Sequence, residues 1–188
     1  MKRVIVVIMI ALLVAGCSIR SKSYYLLDGN KEVKSVAKLS GSVGIETITL
    51  PRYFNQSSVA MKEGHNRVVF LPHANWVSNM DEHLTGVLIS YLKRYFNATD
   101  IYLFPWDVSK KIERKVAIKI ENFIYEEGEI HLDASWEIAK DGQKIAKFFH
   151  ISVPSKSDSE KIVKHMDEAF SALQVAIAKS LFSPKELL

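Results

Sequence analysis

Few residues in this 188-residue chain have the types and spacing for chemistry. It carries one cysteine, Cys17, and six histidines: His65, His73, His83, His131, His150 and His165. No two histidines stand four residues apart, as two ligands on one helix face would, and no second cysteine joins them in a metal set. The sequence has no G-x-S-x-G, no H-E-x-x-H, no phosphate-binding P-loop and no G-x-G-x-x-G. One pair could serve a proton transfer. If Asp141-Gly142 forms a two-residue type I′ turn, Lys140 pairs with Gln143 and Asp133 falls opposite His150. A carboxylate beside an imidazole can orient a base. Ser135 and Ser152 lie nearby, but no nucleophile is identifiable, and a cross-strand surface pair worth a few tenths of a kcal/mol explains the same residues. The expectation is that the chain is no enzyme and holds neither cofactor nor metal.

The cysteine has a more specific context. Met1-Lys2-Arg3 is a short basic start, and Val4 to Ala15 is an unbroken run of twelve apolar residues. Twelve helical residues span about 18 Å, short of the ~30 Å hydrocarbon core of a bilayer. A secretory signal fits better than a transmembrane helix. The run ends in Val14-Ala15-Gly16-Cys17. This resembles a bacterial lipoprotein signal with its lipobox. The resemblance implies that residues 1–16 are removed and that Cys17 is lipidated on its thiol and new amine. The other reading is an ordinary signal peptide followed by a chance or buried cysteine. A single acyl chain anchors only marginally, at about 0.8 kcal/mol per buried CH2, whereas three chains on one residue hold permanently. Residues 17–23 then form the anchor and a short polar tether, and 24–188 a single periplasmic domain. Ser18 after the cysteine implies, by enterobacterial-type sorting, the periplasmic face of the outer membrane.

Composition agrees with a folded domain on a leash. The chain is 48% hydrophobic and 24% charged, with net charge +4. That excludes intrinsic disorder, and one cysteine excludes an internal disulfide framework. The 25 basic and 21 acidic residues are interleaved, so no basic tract tracks a phosphate backbone and no nucleic-acid partner is expected. Two of the positive charges, Lys2 and Arg3, leave with the signal.

The elements that must position these residues follow from periodicity. Strand patterns cover Tyr24 to Leu27, Val43 to Leu50, Gln56 to Met61, Arg67 to Leu71 and Ile101 to Phe104. Val116, Ile118 and Ile120 alternate with polar residues. So do Ile130, Leu132, Ala134, Trp136 and Ile138, which the Asp141-Gly142 turn sets against Ile151, Phe149 and Ile145. Met80, Leu84, Leu88, Tyr91, Leu92 and Phe96 make one helical stripe, with Ser78 or Asn79 as cap. Ile162, Met166, Phe170, Leu173, Ile177 and Leu181 make a second, behind a Ser157/Glu160 capping box, with Pro184 closing it. Phe148, on the polar side of the hairpin, either packs under the N-terminal strand or marks a second apolar surface. Phe182, Leu187 and Leu188 form an apolar tail. The fold expected is α+β: an antiparallel-rich mixed sheet of about seven strands with two long amphipathic helices packed on one face.

The order of features is similar to one family. Tyr24-Tyr25-Leu26-Leu27 follows the lipobox. Val43 to Phe54 reads as a strand ending in Leu50-Pro51-Arg52-Tyr53-Phe54. Asn75-Trp76 precedes the Met80-Asp81-Glu82-His83-Leu84 helix start, and Trp136 sits in the long hairpin. This looks like the PqiC-type (YmbA-like) ABC-transport auxiliary lipoproteins. It departs from them at Val77-Ser78-Asn79, where the family is often rich in Pro and Leu. The resemblance implies a component of an MCE-type lipid transport system, docking a periplasmic MCE-domain protein at the outer membrane while helping lipids move between the two membranes. It also implies membrane contact through Cys17. Pro51, Tyr53 and Trp76 are the matched positions offered for docking. Whether the domain self-associates is left open. A second class of function is an envelope-assembly scaffold lipoprotein without a transport role.

Overall fold

The computed structural model describes residues 21–29, 33, 35 and 38–182. Eight strands and two long helices appear among them: β1 (Ser23–Tyr25), β2 (Val43–Ile45), β3 (Ser58–Glu63), β4 (Arg67–Trp76), α1 (Met80–Phe96), β5 (Ile101–Leu103), β6 (Arg114–Glu126), β7 (Glu129–Lys140), β8 (Gln143–Pro154) and α2 (Ser159–Phe182). The fold is α+β, with one strand more than the expected seven. Cys17 lies outside the described residues, as do Pro184, Leu187 and Leu188.

Strand β6 is the centre of the sheet. One edge pairs antiparallel with β7, which pairs antiparallel with β8. The other edge is divided. Near its start β6 pairs parallel with β2 (Ile45 with Val116), and near its end with β3 (Met61 with Tyr125). Beyond β2 lies β5, parallel; beyond β3 lie β4, antiparallel, and then β1, parallel to β4. The sheet is therefore mixed, and its parallel pairs join segments distant in sequence. The expected strand from Val43 to Leu50 breaks after Ile45. Only an isolated bridge, Thr49 to Lys119, resumes the pairing along β6.

The long hairpins form by local chemistry. Asp141 and Gly142 both have positive φ, 50° and 82°, the type I′ turn whose twist matches its strands. Glu127 and Gly128, at 48° and 93°, make the same two-residue connection between β6 and β7. The resulting register places Asp133 opposite His150, Ala134 opposite Phe149, Leu132 opposite Ile151 and Ile138 opposite Ile145, as the alternation requires.

Both helices lie on one face of this sheet. The stripes Met80–Leu84–Leu88–Leu92–Phe96 and Ile162–Met166–Phe170–Leu173–Ile177–Leu181 are buried against Val116, Ile118, Ile120, Leu132, Ala134 and Ile138. Trp136 joins this face and donates its Nε1–H to Ser180 Oγ at 3.0 Å, so its one polar group is satisfied. The caps differ in detail from expectation. Asn79 caps α1 with no side-chain hydrogen bond; its carbonyl accepts the His83 N–H at 3.0 Å. For α2 the cap is Asp158, one residue later than Ser157. Its Oδ1 accepts from the N–H groups of Glu160 and Lys161 at 3.1 and 3.2 Å, and a carboxylate there also meets the positive end of the helix. Phe148 stays exposed and does not pack under β1, which lies at the far side of the sheet.

Phe170 is fully buried between helix and sheet. Phe170→Ala is expected to destabilise the domain by about 3–5 kcal/mol in urea unfolding followed by circular dichroism, the cost of a ring-sized cavity in a closed core.

Candidate functional site

The three candidate docking residues meet at one corner of the fold. Pro51 ends the β2 segment. Its fixed φ of −58° suits the single turn of 3-10 helix at Arg52–Asn55, where the Phe54 N–H returns to the Pro51 carbonyl at 3.0 Å. This turn turns Phe54 inward and Tyr53 towards β6. Phe54 stacks on Trp76, with ring centroids 6.0 Å apart and planes 26° apart, and leans on Phe123 at 5.9 Å. Trp76 ends β4 and donates its own N–H to the Ser57 carbonyl at 2.7 Å. Phe54 is thus the residue that joins the turn to Trp76. Its signal in the sequence was faint: an aromatic one place after Tyr53, in a turn opened by proline.

Tyr53 is held by a break in the central strand. The β6–β7 register shifts between Ile120 and Asn122, leaving β6 bulged there. The Phe123 N–H donates to the Tyr53 hydroxyl at 2.8 Å, and that hydroxyl donates to Asn122 Oδ1 at 3.3 Å. The phenol supplies a partner to a backbone group on the divided edge of β6. Burial pushes its pKa from 10.0 up to about 12, with the Phe123 N–H pulling down and the Asp133 charge adding a small push upward.

Between this turn, the end of β4 and the start of α1 opens a cleft of about 790 Å³. Ile48, Phe54, Trp76 and Met80 give it an apolar floor, and Thr47, Thr49, Asn55, Gln56, Ser78 and Asp81 are among its polar lining. Val77 at its edge is exposed, and the Val77 N–H bonds the Tyr25 carbonyl at 3.0 Å, so β1 borders the cleft. The Ile48 N–H bonds Thr85 Oγ1 at 2.9 Å and fixes one wall to α1. The floor residues are nearly closed off, so the surface the cleft presents is mainly hydroxyl, amide and carboxylate groups.

The Asp133–His150 pair forms as the hairpin register requires, with Nδ1 2.6 Å from Oδ1. It stands on the sheet face away from the helices, with more than half of the histidine side chain in solvent. Neither nearby serine aligns with it. Ser152 Oγ pairs with His131 Nδ1 at 2.8 Å, and Ser135 donates to Glu121 at 2.6 Å. These are rungs of a polar ladder across the strands. Among the described residues no group of three or more His, Cys, Asp or Glu side chains could hold a metal ion.

Comparison with known proteins places this geometry. The family model for the ABC-type transport auxiliary lipoprotein component matches residues 24–178. The chain belongs to that family. Its name is that of an envelope lipoprotein serving a transporter and not of an enzyme class. The fold matches an uncharacterised protein of known structure with a TM-score of 0.71 at 18% identity, covering 86% of this chain and 99% of that one. Protein XCC0632 from Xanthomonas campestris, of the DUF330 family, matches with a TM-score of 0.71 at 10% identity, covering 85% and 95%. PelC from Paraburkholderia phytofirmans, solved as a dodecamer, is more distant at a TM-score of 0.41 and 12% identity, covering 76% and 93%. No curated protein matches. The family match spans all three docking candidates; of these only Trp76 lines the cleft, and Pro51 and Tyr53 lie behind it in the turn that places Phe54 there.

Tyr53→Phe is expected to cost about 1–3 kcal/mol at neutral pH, because it strands the Phe123 N–H. The pH dependence has a definite sign. Between pH 10 and about 12 the unfolded chain gives up this phenolic proton and the native chain keeps it, so native stability falls as pH rises through that window. Chemical unfolding across it should show a shallower fall for Tyr53→Phe than for the parent protein.

Proposed function

We propose that this protein is an outer-membrane lipoprotein, anchored through Cys17, that docks the periplasmic MCE-domain component of an ABC-type lipid transport system and helps lipids pass between the inner and outer membranes. In this reading residues 1–16 are the removed signal, 17–23 the anchor and tether, and 24–188 the docking domain. The observation that carries it is that Phe54, set by the Pro51 turn, meets Trp76 beneath one open cleft bordered by β1. Pro51 and Tyr53 set the turn, Trp76 and Phe54 form its buried floor, and the exposed Thr47, Asn55, Gln56, Ser78 and Asp81 are the groups a partner segment meets. Seven residues from Cys17 to Tyr24 reach at most about 25 Å, so the domain stays near its membrane and its partner must come to it.

Two measurements test this. Cys17→Ser should accumulate as uncleaved precursor; a correctly cleaved, membrane-anchored mutant would refute the anchor. Anchored parent protein should capture the MCE-domain protein in detergent pull-down. Gln56→Trp and Ser78→Trp, which fill the cleft from exposed rim positions, should weaken capture by about tenfold or more, ~1.4 kcal/mol, with unchanged melting temperature. Undiminished capture by both variants would remove the cleft from the docking surface. Capture of an outer-membrane β-barrel in place of the MCE protein would favour the assembly-scaffold reading.

A further inference from the structure

Beyond the cleft, the sheet face turned away from the helices carries a second apolar surface. Tyr25 pairs with Trp76 and its hydroxyl meets Ser159 Oγ at 3.3 Å, so Tyr25 faces α2 and its neighbour Tyr24 faces the other way. Cross-strand partners share a face, and Tyr24 pairs with Asn75, which pairs with Ser58. The β3–β4 register shifts after Ser58; beyond it Ala60 pairs with Phe70 and Lys62 with Val68, while Met61 between them packs on the core side. Tyr24, Phe70 and Val68 therefore stand on one face, and they are 63%, 42% and 41% exposed.

The anchor constrains what meets this face. Strand β1 runs parallel to β4 with Ser23 opposite Ala74, so the chain upstream of Ser23 is aimed toward the β3–β4 turn. Cys17 is six residues before Ser23 and can lie at most about 21 Å from it. Phe70 is four residues along β4 from Ala74, within about 14 Å, and Val68 within about 20 Å. A tether of that length reaches either end of β4, and it is the direction of β1, which enters from the turn side, that sets acyl chains on Cys17 toward the turn end. The approaching chain is basic: residues 17–27 contain Arg20 and Lys22 and no acid, while Lys62 and Arg67 by the turn are paired with Glu126 and Glu63. Basic residues beside a lipid anchor are drawn to anionic headgroups.

We infer that Tyr24, Phe70 and Val68 form a membrane-resting surface that lies in the headgroup region of the bilayer holding the anchor, so that β4 stands with its turn end on the lipid and its Trp76 end, with the cleft, directed away from it. Aromatic and aliphatic side chains with basic neighbours suit that interface. The inference rests on lipidation of Cys17. It gives the proposed docking cleft a direction: up to about 30 Å above the membrane, the length of the ten residues of β4.

The test uses the lipidated protein in vesicles of phosphatidylethanolamine with a minority of anionic phosphatidylglycerol. Acylation blocks the native thiol, so Phe70→Cys, Val68→Cys and Phe148→Cys each present one site for a nitroxide label. Phe148 is 68% exposed on the same sheet face but on the far edge strand, and serves as the control. The protein should float with the vesicles. Labels at 70 and 68 should show a several-fold higher accessibility to oxygen relative to an aqueous nickel chelate than the label at 148. Flotation with equal ratios at all three positions overturns the inference and leaves the anchor standing. Labels at 70 and 68 shielded from both reagents would mean that protein covers this face, which also overturns it. Failure to float overturns the anchor and the inference together.

Discussion

Strand β6 has one edge to share between two partners, and the rest of the molecule is arranged around that division. β2 holds the first part of the edge and β3 the last, so the chain between them must leave the sheet and return. A strand edge that changes partner exposes backbone groups at the changeover. Here the bulge after Ile120 marks the change, and the Tyr53 hydroxyl takes the Phe123 N–H that would otherwise be left there. The excursion that supplies Tyr53 is the Pro51 turn, and the same turn drives Phe54 against Trp76. The cleft is thus the by-product of closing a mixed sheet.

The two faces of the sheet have different work. One carries both helices and nearly all of the core, through regular stripes on α1 and α2. The other is a ladder of side-chain pairs, His131 with Ser152, Asp133 with His150 and Glu137 with Lys144 at 2.7 Å. Exposed pairs of this kind contribute little stability, and their exposure argues against a proton-transfer role. What they provide is cross-strand register on the β7–β8 part of that face.

The family is one of transport auxiliary lipoproteins, and the proposed docking role asks for position more than chemistry. The architecture matches that need: a stiff central hairpin, a cleft at one end of β4, and a chain that enters along β1 beside it. In the proposed reading, a short tether would limit how far the domain strays from its membrane.

Much of this was legible in the residues. The β7–β8 register followed from Asp141-Gly142, because a two-residue turn with positive φ at both places leaves one pairing compatible with the apolar alternation. The two helices followed from their stripes, since burial on a cylinder imposes a 3.6-residue period. Their caps were less legible: Ser157 and Asp158 are both good caps, and only the entry angle of the chain decides which side chain reaches the free N–H groups. The parallel pairings of β1, β2 and β3 could not be read, because pairing between distant segments leaves no local signature. For the same reason Pro51, Tyr53 and Trp76 were separate matches in the sequence, and tertiary structure alone set Phe54 between them and assigned the Tyr53 hydroxyl to β6. Cys17 is the opposite case. The role proposed for it rests on the linear order Val14-Ala15-Gly16-Cys17 alone, because a processing signal is a matter of local sequence and needs no tertiary contact.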